Sequence, residues 1–147
     1  MLSVADPGYR VSPVVPDDLP WLLRVRLRSA RKKGRTGLIL YGIIRQGQIQ
    51  ISRQRPYASI REGKRKLGSR DPTNRLPKWV SLAPGVHDLH FMAGNSIRFS
   101  FFDERVTLNE GDVLVAVCEP VQPRKSPEAD LWRLGIIDSE GHPRPAA

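Results

Sequence analysis

Two of the three histidines, the one cysteine and four clustered carboxylates are the residues whose types and spacing could carry chemistry in this 147-residue chain. His87 and His90 stand in the stretch HDLH. On a strand, positions three apart face opposite sides, so the pair cannot share a metal; on a helix it could. The preceding Pro84-Gly85 argues for a turn and a strand, and no metal site is expected. Cys118 closes the apolar run VLVAVC, where a cysteine serves as a small buried hydrophobe. Nothing beside it in sequence would lower its pKa, so a thiol nucleophile is not expected. Asp103, Glu104, Glu110 and Asp112 read as turn acids, and turn chemistry accounts for them without an acid–base pair. KKGRTG lacks the spacing of a phosphate loop and opens no helix. No enzyme signature is left, and no cofactor, metal or small-molecule substrate is expected.

Charge is the stronger signal. The chain has 24 Lys and Arg against 15 Asp and Glu, a net of +9. Between Arg24 and Lys78 there are 17 basic and 2 acidic residues, while the segments before and after are mildly acidic. Such a balance suits polyanions and solubility; it says nothing about fold. Arg24, Arg26, Arg28, Arg31, Lys32, Lys33 and Arg35 form one group. Arg53, Arg55, Arg61, Lys64, Arg65 and Lys66 form another, with Tyr57 among them as an aromatic on which a base could stack. Arginine makes planar, bidentate contacts with phosphate. The plainer reading is a solvated strand face with a charged loop, or arginines that guard a sheet edge. No helix, zinc or RNP recognition motif is present, so base-specific reading is not expected.

The tail is polar and rich in proline except for DLWRLGIID, residues 130–138. Trp132, Leu134, Ile136 and Ile137 either dock back as an edge strand or short helix, or form a partner-binding motif. The expected function is therefore a non-enzymatic interaction module that binds a protein partner or assembles with itself, through this cluster or a sheet edge. The alternative is binding of nucleic acid or another polyanion, without sequence preference, through the basic 24–78 face.

The elements that would position these residues are short and heavily punctuated, with 13 Pro and 12 Gly. Residues 1–20, with Pro7, Pro13, Pro16 and Pro20, read as an extended leader. WLLRVRLRS, residues 21–29, alternates Leu23, Val25 and Leu27 with Arg24, Arg26 and Arg28, the period of a half-buried strand. TGLILYGII, 36–44, is nearly all apolar and reads as a central strand covered on both faces. With a strand from Ile49 these would form an antiparallel meander. Residues 53–77 read as a long basic loop with a short strand near Tyr57 to Ile60. Four closely spaced strands follow between Trp79 and Cys118, the spacing of a sandwich or barrel.

Length and the lone cysteine set outer bounds. The chain is long enough for one domain with a real core, and one cysteine allows no disulfide within it. The opening residues do not read as a signal peptide, and no stretch approaches the ~18 apolar residues of a membrane span. A soluble cytoplasmic protein is expected.

The stretches WVSLAPGVHDLHF and VTLNEGDVLVAVCEP resemble small bacterial immunoglobulin-like β-sandwich domains of the PEGA-like kind. The matching residues are Pro84, Gly85 and His87 at a hairpin-launching turn, then Leu108, Gly111 and Asp112 at the turn into a closing strand. GLILYGIIRQGQI is comparable to an earlier strand and turn of such domains. The likeness spans about residues 22–118 and departs in the basic insertion after Ile51. It implies a sandwich fold, a binding role and no catalytic set. The expected architecture is all-β, a single antiparallel sandwich of about seven strands over 21–118. An N-terminal leader, 1–20, and a partly docked C-terminal segment, 119–147, flank it.

Overall fold

The computed structural model describes residues 9–42, 57–70, 77–94, 99–119 and 130–146. They form ten strands, one α-helix and a short 3-10 turn at Pro16–Asp18. The elements are β1 (Tyr9–Pro13), α1 (Trp21–Lys32), β2 (Gly37–Gly42), β3 (Tyr57–Glu62), β4 (Arg65–Arg70) and β5 (Lys78–Ser81). Then come β6 (Gly85–Gly94), β7 (Phe99–Leu108), β8 (Val113–Glu119), β9 (Asp130–Ile137) and β10 (Pro143–Arg144). One sheet runs β1-β9-β8-β2-β5, with β10 also paired to β9; the other runs β4-β3-β6-β7.

The molecule is mostly β, in two sheets, as the sequence leads one to expect. The second sheet is antiparallel throughout. The first is mixed, which corrects the antiparallel expectation: β2 runs parallel to β8, and β1 parallel to β9. Parallel neighbours need a long connection between them. Here β2 and β8 are separated in sequence by the whole second sheet.

The first sheet is covered on both faces. Leu38, Leu40, Leu114, Ala116, Cys118, Trp132, Leu134 and Ile136 face the second sheet, where they meet Ile60, Phe91, Phe102 and Val106. The alternate residues Ile39, Val113, Val115, Val117 and Ile137 face α1, where they meet Leu23, Leu27 and Ala30. Burial on two sides is why LIL and VLVAVC are unbroken apolar runs. The central position expected for β2 is the one observed.

The stretch 21–29 is a helix, and this corrects the strand reading. Leu23, Leu27 and Ala30 are buried. Their spacing of four and three puts them on one helical stripe, whereas Val25, which the strand reading placed beside them, is only partly buried. Pro20 precedes the first turn, and the helix closes in a Schellman motif. There Gly34, with φ 64°, donates its N–H to the Arg31 carbonyl, and Arg35 N–H donates to that of Ala30. Both signals are local. They lost to the period-2 pattern because Leu23 and Leu27 satisfy both periods.

Two further expectations change. Residues 57–70 are a hairpin rather than a basic loop with one short strand. Its two-residue turn has Gly63 at φ 60° in the first place, which suits the twist of a β-hairpin. The segment 130–137 does dock, but as an interior strand between β1 and β8 rather than at an edge. Strand β9, from the segment expected to flank the domain, pairs with β8 over seven residues. In the leader, Val14 and Leu19 are buried against the helix side. Gly135 permits this approach, since a Cβ there would lie 2.8 Å from that of Val14. The expected strand beginning at Ile49 lies outside the described residues.

Candidate functional site

Helix α1 carries the first cationic group. Packing of Leu23, Leu27 and Ala30 against β2 and β8 fixes its orientation, leaving Arg24, Arg26, Arg28, Arg31, Lys32 and Lys33 exposed. Arg24, Arg28 and Arg31 follow the i, i+4, i+7 stripe of one flank; Arg26 and Lys33 lie on the other, toward β5. The arginine ladder of a strand face is therefore corrected to two flanks of a helix. Among the described residues no carboxylate pairs with these six or with Arg35. Arg31 and Lys32 also occupy the last turn, where cations suit the partial negative charge of the helix end.

Between that second flank and β5 lies an open cleft of about 90 Å³, lined by Arg26, Ser29, Ala30, Lys33, Arg35, Ile39, Pro77 and Trp79. Among the described residues no acidic side chain lines it. Trp79 stands opposite Ile39 in the β2–β5 pair, on the helix side of the sheet. Its Nε1–H donates to Ser81 Oγ at 2.9 Å. Its ring lies close over Gly37, where a Cβ would come within 2.7 Å of Cζ2. The Schellman turn brings Arg35 back along the helix and sets its Cζ 5.9 Å from the centre of the indole. A cation-rich cleft with an oriented aromatic wall can hold an anion beside a planar group.

The second cationic group is elsewhere. Arg61, Lys64, Arg65 and Lys66 are exposed on the β3–β4 hairpin, in the sheet that covers the opposite face from α1. The two groups do not form one ladder. Arg53 and Arg55 lie outside the described residues, and Tyr57 opens β3 opposite Gly94.

Trp132, Leu134, Ile136 and Ile137, expected as a partner contact, are all buried, Trp132 completely. Trp132 meets Phe91 edge-on at 5.4 Å and Phe102 at 6.1 Å, while those two rings stack at 4.9 Å. The segment is apolar because it is core, so its side chains offer no contact surface in the folded chain.

His87 and His90 face opposite sides of β6. Inward, His87 Nδ1 lies 2.6 Å from Glu62 Oε2, and Nε2 lies 2.7 Å from the Ala83 carbonyl oxygen. Outward, His90 Nδ1 lies 2.8 Å from Asp103 Oδ1. Among the described residues no three metal-ligating side chains cluster. Asp103 and Glu104 are strand residues of β7, not turn acids, because that strand continues in register along all ten residues of β6. Asp112 is a turn acid and is buried: its Oδ2 accepts the Asn109 N–H at 2.7 Å and Arg144 Nη1–H at 2.6 Å.

Sequence reasoning missed Trp79 as a site residue and Arg144 as a structural one. LPKW showed an aromatic beside a cation, but nothing local reveals that the indole meets the end of α1. No described helix is long and apolar enough to cross a membrane. The chain matches no protein-family model, no curated protein and no solved structure.

Proposed function

We propose that the protein is a non-enzymatic binding module that holds polyanions, without sequence preference, on the cationic flanks of α1. One observation carries this reading: seven cations between Arg24 and Arg35, none paired to a described carboxylate, stand on a helix packed against the core and on the turn that closes it. Their exposure leaves them free for phosphate or sulfate, and the helix sets their spacing. Base-edge discrimination is not part of the proposal, since the sequence carries no recognition motif of the helix, zinc or RNP kind.

The test is retention on heparin together with a mobility shift on mixed single-stranded nucleic acid. Four phosphate contacts on a single strand give a log–log salt slope of about −3. Arg24→Glu, Arg26→Glu and Arg28→Glu combined should abolish retention and leave the melting temperature within a few degrees, because all three side chains are exposed. Retention that survives the triple reversal refutes the proposal.

A second reading, self-assembly through a sheet edge, is favoured by β7. It is a ten-residue strand, one of the two outer strands among those described in its sheet, with Phe101 51% exposed. A defined dimer in light scattering, with no retention on polyanions, would select it. Kinship with PEGA-like immunoglobulin domains is likewise a proposal. The residues that suggest it stand at the β5–β6 and β7–β8 connections.

A further inference from the structure

We infer that the cleft between α1 and β5 takes one nucleotide of a single-stranded nucleic acid, its base over Trp79 and its phosphate among Arg26, Lys33 and Arg35. This rests on the polyanion reading above and names the ligand class within it.

Three features separate a nucleotide strand from other polyanions. First, the indole is held in place from two sides, by Ser81 Oγ at its Nε1 and by the backbone at Gly37 beneath its ring. A fixed aromatic face gains stacking with little loss of freedom. Second, a planar cation already rests on that ring. Arg35 Cζ lies 5.9 Å from its centre, a loose contact that a base can replace. The displaced guanidinium then has the adjacent phosphate as its partner. Third, the cleft is open, about 90 Å³, with cations from both the helix and the turn that follows it and, among the described residues, no carboxylate on its walls. Because the cleft is open to solvent, the strand can run across its mouth. A duplex keeps its base faces stacked inside and cannot offer one to Trp79. A sulfated polysaccharide has charge and no base.

The experiment compares an oligothymidylate with an abasic oligomer of equal length and charge, by fluorescence anisotropy on the full chain. The wild type should bind the oligothymidylate about tenfold more tightly or better, the range of one base stacked on an aromatic. Trp79→Leu should bring both ligands to the abasic affinity, and Trp79→Phe should fall between, with melting temperatures recorded for each. Equal wild-type affinity for the two oligomers overturns the inference and leaves the polyanion reading standing. Loss of both in parallel on Trp79→Leu overturns it as well, since Trp79 would then act through the fold. If Trp79→Leu does not fold, the ratio in Trp79→Phe decides, and an unchanged ratio refutes base stacking. Failure of the wild type to bind either oligomer sinks the polyanion reading itself.

Discussion

Replacing Arg144 by alanine should destabilise the fold far more than its place near the end of the chain suggests. Its Nη1–H donates to Asp112 Oδ2 at 2.6 Å and its Nη2–H to the Thr107 carbonyl at 2.7 Å. The Asp112 side chain is 2% exposed and that of Arg144 33%. The same carboxylate accepts the Asn109 N–H, and the Asp112 carbonyl accepts the Gly37 N–H, so the residue joins the β7–β8 turn to the start of β2. Removing one partner of a fully buried ion pair costs about 3–5 kcal/mol, chiefly because the other charge is stranded. Arg144 is one-third exposed and water can reach part of the vacated space, so about 2–3 kcal/mol is the expected loss. For a domain of this size that corresponds to a fall of about 5–10 °C in melting temperature. Asp112→Asn keeps an acceptor for Asn109 and removes the charge; about 1–2 kcal/mol should be lost. The double variant strands no charge, so its loss should be smaller than the two single losses added together, by about 1 kcal/mol or more. Urea unfolding followed by far-ultraviolet circular dichroism gives all the values needed. A loss under about 0.5 kcal/mol for Arg144→Ala, or strict additivity in the cycle, would refute the argument that Asp112 depends on Arg144.

Gly34→Ala places a side chain at φ 64° with no neighbour to clash with, so only the left-handed backbone opposes it. A loss of about 1–2 kcal/mol in a urea melt is expected; none would mean that the helix end is not held in the Schellman geometry. Asp138 accepts N–H bonds from His142 and Glu140 in the β9–β10 turn. The His142 N–H, ahead of the Glu140 N–H and the nearby His142 and Arg144 charges, holds its carboxyl below the ordinary carboxylate value. A lowered folded value means a stabilisation present above the unfolded value, near 3.9, and lost as pH falls through the folded one. The advantage of the wild type over Asp138→Asn should therefore be constant from neutral pH to about pH 5 and shrink below about pH 4 in thermal melts. A gap independent of pH would exclude the charge as its source.

Legibility varied from element to element. LILY and VLVAVC announced buried strands because burial on both faces leaves an unbroken apolar run. Pro84-Gly85 and Gly111 marked their turns correctly, Gly111 sitting at φ 86°. The helix was misread although Leu23, Leu27 and Ala30, Pro20 and Gly34 all pointed to it, because an overlapping alternation of arginines offered a second period. The β3–β4 hairpin hid in basic composition: Leu67 is the buried anchor of a strand otherwise carrying charges and glycine. Trp132 was recognised as too apolar for a free tail, and its burial is the reason.

Local chemistry in the chain set the charge imbalance between Arg24 and Lys78, the β-rich character and the turns, since these follow from residue type and near neighbours. Partnership came from three dimensions. Which strands run parallel, which face of the first sheet α1 covers, and which cations meet Trp79 all depend on contacts between distant segments, where side-chain period carries no information about the partner. Thus the cationic stretch 24–35 was visible in outline, but its division into two helix flanks, one of them facing an indole, arose only when Leu23, Leu27 and Ala30 were buried against β2 and β8.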